Sequence, residues 1–234
     1  MVRFPSGESV CLVVGVFKNL FWRIDMVHDH LEEFSDMEFD VLKELSNIGA
    51  GNATTAISTM MNLKVNMNIP VIKFLEFKEL AEVIGGAENI VVGILLGLQS
   101  DLDGMMMFLM DRSSAIGVIN TILTNNGAPA MAPDADFGEM DLSVLQELGN
   151  IIAGAYLSAI STLTNLTITA TVPSLAVDMA GAILSVPAIE YGKVSDKALL
   201  IQSEFNEEDL KVDGYFILIP TLESFDKIFS ALGM

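Results

Sequence analysis

The chain has 234 residues, 51% of them hydrophobic, so it is long enough and apolar enough to bury a sizeable core. Its 12 basic and 31 acidic residues give a formal net charge of -19 at pH 7, which opposes direct binding to the phosphate backbone of a nucleic acid. The same charge fits either the solubility of an apolar chain or a partner protein with a basic surface, so it names no function by itself.

Residues 1–34 are predicted to form an N-terminal extension that fits poorly with the pattern after it. The run Val10–Val14 resembles a strand or a weak signal core, but it lacks a small-residue cleavage site. Met26 and Met37 are both candidate start residues, and we hypothesise that the leader is an over-extended reading frame rather than a genuine extension. The single cysteine, Cys11, can form no internal disulfide, which favours a reducing, cytoplasmic location.

The apolar runs are short, although the mean hydropathy is +0.51. One run, Val10–Phe17, ends at Lys18, and another, Val91–Leu98, ends at Gln99. Neither reaches the roughly 20 apolar residues that cross a bilayer. We therefore expect no membrane partner.

The first predicted helix opens an internal repeat. The segment Asp40–Ser58, DVLKELSNIGAGNATTAIS, aligns without gaps with Ser143–Ser161, SVLQELGNIIAGAYLSAIS. The offset of 103 positions continues as far as Pro70 and Pro173. The chain therefore consists of two related halves.

Later in each half, an Asp-Gly pair stands before an apolar strand. Asp103-Gly104 precedes Met105–Met110, and Asp213-Gly214 precedes Tyr215–Ile219, at an offset of 110 that implies seven inserted residues. We predict a turn at both pairs.

A second helical pattern closes each half, at Ser113–Leu123 and at Leu222–Leu232. The latter has apolar residues at positions i, i+3, i+4 and i+7, the spacing of a buried helix face. Residues 125–139 are rich in turn formers and are predicted to link the halves.

The predicted fold class is α+β with a pseudo-twofold relation between two helix-strand-hairpin-helix halves. Strands joined by hairpin turns favour an antiparallel sheet, and the two long repeated helices pack on it. The half-repeats span about 35–124 and 140–234 of one domain, residues 35–234, and neither half need fold alone.

One stripe of each repeated helix carries a glutamate and an asparagine. Residues three and four apart share a helix face, so the stripes are Asp40, Glu44, Asn47 and Gly51 in the first helix and Ser143, Glu147, Asn150 and Gly154 in the second. The opposite arc of the first helix is apolar toward its N-terminal half and can face the core; it comprises Val41, Leu45, Ile48, Asn52 and Thr55. Asp40 and Ser143 can each also act as an N-cap.

A glutamate and an asparagine on an exposed helix are ordinarily solvated surface. Asn is about 0.5 kcal/mol worse than Ala in a helix, so a mid-helix Asn is slightly unfavourable without a task. Two copies in one register also follow from duplication alone, which establishes the relation between the halves more firmly than it establishes a function.

The pattern Asp/Ser-x-x-x-Glu-x-x-Asn, followed by Gly and small residues, resembles the signature of the CheC, CheX and FliY phosphatases over about residues 36–234. With two signatures and no flagellar-switch extension, the chain is most similar to the CheC type. The resemblance implies a CheC-like fold and a protein aspartyl-phosphate phosphatase, a hydrolase of chemotaxis two-component signalling. Its implied partner is the phosphorylated response regulator CheY.

The resemblance also implies the catalytic residues, Glu44, Asn47, Glu147 and Asn150. A carboxamide donates and accepts hydrogen bonds without titrating, so each Asn could hold the attacking water, while each Glu could pair with a lysine of the regulator. We expect no metal or cofactor in this chain and Mg²⁺ in the CheY substrate.

The accessory candidates are Asp40, Ser143, Gly49, Gly51 and Gly154. The glycines either let another backbone approach closely or pack tightly inside this protein. Because the two stripes differ in sequence, unequal activity of the two sites is expected.

An alternative function is an adaptor for the receptor deamidase CheD, a second partner that the resemblance implies, with little intrinsic phosphatase activity. A pure adaptor would be free to lose its Asn, yet both copies remain. We expect a monomer, since two pseudo-symmetric halves remove one reason to dimerise.

Other catalytic patterns are weak or missing. The pair His28-x-His30 has no further metal ligands, and no Cys-His pair, Gly-x-Ser-x-Gly or Walker-type phosphate loop occurs. Asp101-Leu-Asp103-Gly104 lacks the downstream glutamate of a Ca²⁺ loop and favours a turn. The 14 methionines, including Met105–Met107, are most simply explained by core packing.

Overall fold

The computed structural model describes residues 35–234 except 69, 192–196 and 208–209, so the predictions for the leader, including Cys11, Met26 and the His28-x-His30 pair, lie outside the described residues. The first half contains α1 (Asp36–Met61), β1 (Asn66–Met67), β2 (Val71–Glu76), α2 (Phe77–Val83), β3 (Ile90–Ser100), β4 (Gly104–Asp111) and α3 (Arg112–Asn125). The second half contains α4 (Glu139–Thr164), β5 (Ile168–Ala170), β6 (Ser174–Met179), α5 (Ala180–Tyr191), β7 (Lys197–Glu207), β8 (Leu210–Pro220) and α6 (Leu222–Ala231).

The strands form one antiparallel sheet in which the short strands of each half pair with a long strand of the other half. Strand order is β1-β7-β8-β4-β3-β5, with β2 also paired to β7 and β6 also paired to β3. The short strands of the first half thus pair with β7 of the second half, and those of the second half pair with β3 of the first. The α+β prediction is confirmed, and each half depends on the other for its edge strands.

The centre of the sheet carries the pseudo-twofold relation. Strands β4 and β8 pair antiparallel, and Met107 lies opposite Ile217, its counterpart at the offset of 110. The equivalent helix ends also correspond, because Asn62 and Asn165 both adopt a left-handed C-cap conformation, with φ of 52° and 57°. The internal symmetry predicted from the repeat is therefore present in the fold.

The sheet is buried on both faces. Helices α1, α3, α4 and α6 cover one face, and α2 and α5 cover the other. Because side chains alternate along a strand, β4 contributes to two separate clusters: Met106, Phe108 and Met110 to the first, and Met105, Met107 and Leu109 to the second. The assignment of these methionines to the core is confirmed.

Two features of the fold differ from the sequence prediction. Helices α2 and α5 were not predicted, because α2 has only seven residues and α5 is apolar on all sides and contains Pro187. Asp103-Gly104 does end the turn into β4, and Gly104 has a φ of 145°. Asp213-Gly214, however, lies inside β8, with Gly214 paired to Ser203, because the inserted residues lengthen the β7–β8 hairpin.

None of the described helices is both long enough and apolar enough to cross a membrane.

Candidate functional site

The two long helices α1 and α4 pack against each other on one face of the sheet. Tyr156 of α4 lies beside Gly49 of α1 and stacks on Phe216 of β8, with ring centroids 4.1 Å apart and an interplanar angle of 12°. Inward-facing residues such as Leu42 and Leu145 are 2% and 0% exposed. This packing fixes which face of each helix points outward.

The outward face of each helix is the predicted stripe. All eight of its members are exposed, namely Asp40, Glu44, Asn47 and Gly51 in α1 and Ser143, Glu147, Asn150 and Gly154 in α4. The prediction that each Glu and Asn share one accessible face is confirmed. The predicted core arc is only partly right, because Leu45 is buried whereas Asn52 and Thr55 are exposed and the inward face runs through Ala50 and Ala53 instead.

In the second stripe the Glu and Asn side chains are hydrogen-bonded to each other. Asn150 Nδ2 donates a hydrogen bond of 3.4 Å to Glu147 Oε2, one turn earlier in α4. In the first stripe, Glu44 and Asn47 make no side-chain hydrogen bond within the part of the chain that the structure describes. Each pair presents a carboxylate and a carboxamide on the exposed face of its own helix.

The helix N-termini are not where the sequence placed them. Helix α1 is capped by Ser35, whose Oγ accepts from the backbone N of Glu38 at 3.3 Å while the Glu38 carboxylate accepts from Ser35 N at 2.8 Å. Helix α4 is preceded by Gly138, whose N donates to Asp141 Oδ2 at 2.8 Å. The N-cap prediction for Asp40 and Ser143 is therefore wrong, because both helices begin one turn earlier.

Asp40 and Ser143 give the two stripes different surroundings. Asp40 Oδ1 pairs with Lys43 Nζ at 3.1 Å, and that ammonium group also lies 4.7 Å from the centroid of the Phe39 ring. Ser143 Oγ instead donates to the Glu139 carbonyl at 2.8 Å and adds no charge. The first position of the stripe therefore holds an ion pair in α1 and an uncharged hydroxyl group in α4.

The three accessory glycines lie in two different environments. A Cβ on Gly49 would lie 2.5 Å from Tyr156 Cδ1, so this glycine serves the internal packing of the two helices and does not face a partner. Gly51 and Gly154 have no atom within 4 Å of such a Cβ and lie on the exposed stripes. Of the two roles that the sequence allowed, tight packing applies to Gly49, and open surface is available at the other two.

Sequence reasoning overlooked one exposed pair of residues. Met37 and Met140 are 68% and 67% exposed, in the first turn of α1 and α4. They are 103 positions apart, the same offset as the two glutamates, and that spacing could have identified them.

No group of three or more His, Cys, Asp or Glu side chains that could hold a metal ion occurs among the described residues.

The model of the CheC-like family matches residues 37–73 and 140–177, which cover nearly all of the two long helices and extend into β2 and β6. The CheY-P phosphatase CheC of Bacillus subtilis is 36% identical over 205 residues, covering 84% of this chain and 94% of that protein.

Two further matches have lower identity. The flagellar motor switch phosphatase FliY of Bacillus subtilis is 26% identical over 132 residues, 56% of this chain and 33% of that protein. The crystal structure of Thermotoga maritima FliY superposes with a TM-score of 0.67 at 18% identity, over 86% of this chain and 98% of that one. The latter match supports the fold.

Proposed function

This chain belongs to the CheC-like family, and from that premise we propose that it hydrolyses the aspartyl phosphate of a CheY-type response regulator. The relative that is 36% identical over nearly its whole length is named for that activity. The observation that carries the proposal is the pair of exposed Glu-x-x-Asn stripes, Glu44/Asn47 and Glu147/Asn150, on two helices packed against one sheet.

Hydrolysis of an aspartyl phosphate requires a water in line with the bond that breaks. The water oxygen attacks phosphorus, the bond from phosphorus to the aspartyl oxygen breaks, and the aspartate leaves as a carboxylate. The proton of the water passes to the released inorganic phosphate. The regulator supplies the phosphoryl group and the Mg²⁺ bound beside it, so this chain need supply only an oriented nucleophile.

The carboxamides of Asn47 and Asn150 suit that task. The amide oxygen accepts a hydrogen bond from the water and the NH₂ group donates one, and neither group changes its charge with pH. Because both side chains are exposed on rigid helices, each can enter a partner's active site without moving its own backbone. Catalysis then results from positioning, as with the glutamine of GTPases.

The carboxylates of Glu44 and Glu147 are proposed to fix the angle of entry. A carboxylate one helical turn before the Asn can pair with the ammonium group of a lysine next to the phosphoaspartate. In α4 the same carboxylate also accepts the hydrogen bond from Asn150, which restrains the amide before the regulator arrives. The glutamate is thus a docking and positioning group rather than a proton donor.

The test is phosphate release from phosphorylated CheY, measured with and without this chain. We expect the chain to accelerate release, and equal rates would contradict the proposal. Variants in which both stripes lose their Asn are the internal control for adventitious phosphatase.

The adaptor function for CheD is tested by the same phosphate-release assay together with a measurement of CheD binding. If the chain acts mainly as an adaptor, it accelerates release weakly when alone and binds CheD whether or not Asn47 and Asn150 are present. The phosphatase proposal instead predicts substantial release without CheD, and its loss with both asparagines.

A further inference from the structure

We infer that Met37 and Met140 form an apolar docking contact for the regulator, one at each stripe, against the protein surface that borders the phosphoaspartate. The inference rests on the proposed function and adds to it the residues that hold the substrate protein. It assigns a binding role to two side chains outside the Glu-x-x-Asn signature.

Both methionines are more exposed than Met179 and Met234, which are 44% and 39% exposed. Met37 is 68% and Met140 67% exposed, whereas Met105, Met106 and Met107 are each 1% exposed or less. A large apolar side chain gains little by pointing into water, and single exposed cases need no explanation. Met37 and Met140 stand at equivalent positions of the duplicated helix with the same exposure, so each stripe has the same apolar side chain at its N-terminal end.

Their placement connects them to the proposed chemistry. Each methionine lies seven residues before the glutamate and ten before the asparagine of its own helix. At 1.5 Å of rise per residue, these spacings are about 10 Å and 15 Å along the helix, and seven residues return to nearly the same face. A regulator domain about 30 Å across, with its phosphoaspartate over the Asn, therefore also covers the methionine.

Capping hydrogen bonds stabilise the first turn of each helix at equivalent positions of the repeat. In α1 the Ser35 and Glu38 groups bond each other, and in α4 Asp141 accepts from Gly138 N. These capping contacts lie directly beside Met37 and Met140 in sequence. The methionine backbone is thereby fixed relative to the stripe, while the unbranched thioether side chain can adapt to the surface it meets.

The acidic side chains near each methionine indicate which kind of partner surface is complementary. Asp40 and Glu44 follow Met37 along the first stripe, and Asp141 and Glu147 follow Met140 in the second helix. The complementary partner surface is an apolar patch next to basic side chains, of which the lysine proposed to meet each glutamate is one. A second copy of this chain, with its net charge of -19, is a poor electrostatic match.

The test replaces both methionines with glutamine. Gln has the length and helix propensity of Met but lacks its apolar character, so the double variant Met37→Gln/Met140→Gln should fold normally. We expect its KM for the phosphorylated regulator to rise about tenfold, with kcat within twofold of the original. Met37→Leu/Met140→Leu should restore KM, and Met179→Gln, which alters a 44% exposed methionine on β6, should leave KM unchanged.

A binding measurement separates this inference from the proposed function. In an Asn47→Ala/Asn150→Ala background, the affinity for the regulator held active with beryllofluoride and Mg²⁺ should fall about tenfold when the two glutamines are added. Unchanged affinity and KM would overturn the docking role while leaving the phosphatase proposal intact. A dimer in solution that dissociates on the Met→Gln change would assign the surface to a second copy and also overturn it.

Discussion

Tyr156 in α4 occupies the space that a side chain at position 49 would need, and Gly49 in α1 is the residue that leaves this space free. At the equivalent positions of the repeat, the sizes are reversed: Ile152 corresponds to Gly49, and Ala53 corresponds to Tyr156. All four residues are buried. The duplicated helices therefore depart from identity where they pack together, while the outward stripes keep their Glu and Asn.

Gly49→Ala is expected to destabilise the protein. The added methyl group meets the Tyr156 ring at 2.5 Å, and such overpacking typically costs 1–3 kcal/mol, more than the ~1 kcal/mol that Ala gains over Gly in a helix. Urea unfolding followed by circular dichroism measures the change. The matched control is Gly51→Ala, two residues later with open space around it, which should stabilise the fold.

Loss of both asparagines should remove the proposed activity. Asn47→Ala and Asn150→Ala each leave one working site, so each single variant should retain the activity of the other stripe. The double variant should lose about 100-fold or more in kcat, because misplacement of a nucleophile has effects of that size. Asn52→Ala, an exposed Asn of α1 that lies off the stripe, is the control, and full activity in the double variant would refute the water-positioning role.

Changing the glutamates should affect binding more than turnover. Glu44→Lys/Glu147→Lys places a cation where a regulator lysine is expected, so KM should rise by ten- to a hundredfold through like-charge repulsion. Glu44→Gln/Glu147→Gln should give a smaller rise that nearly vanishes in high salt. Glu82→Lys on α2, across the sheet, changes the net charge as much as either stripe substitution does alone and should have little effect on KM. Equal responses of Glu82→Lys and the stripe variants would mean that only the overall charge matters.

Local periodicity and the repeat were enough to predict the elements that carry the site. The 103-residue offset and the three- and four-residue spacing placed Glu44, Asn47, Glu147 and Asn150 on exposed helix faces, because a helix alone fixes which residues are neighbours. The closing helices and the antiparallel sheet followed from similar local signals.

Features that depend on tertiary contacts could not be predicted in this way. The burial of Gly49 depends on Tyr156, more than one hundred residues away, and the exchange of edge strands depends on pairing between halves. Helix α5 has no amphipathic period because one side packs on the sheet while apolar Ile189 on the other remains 69% exposed. Asp213-Gly214 has the composition of a turn, but pairing with β7 keeps it extended.

Gly51 and Gly154 provide a test that separates stability from activity. Both lie inside a helix, on the stripe, with open space in front of them, so Gly→Ala should stabilise the fold by about 1 kcal/mol at each site. If the backbone of the regulator approaches these positions, the added methyl groups hold it away from the Asn. We therefore expect Gly51→Ala/Gly154→Ala to melt at a higher temperature and yet hydrolyse the aspartyl phosphate about tenfold more slowly, because small displacements of the nucleophile have large effects on the rate. Thermal unfolding and phosphate release on the same preparations measure both quantities. A variant that is more stable and fully active would show that the regulator docks without close contact at these glycines.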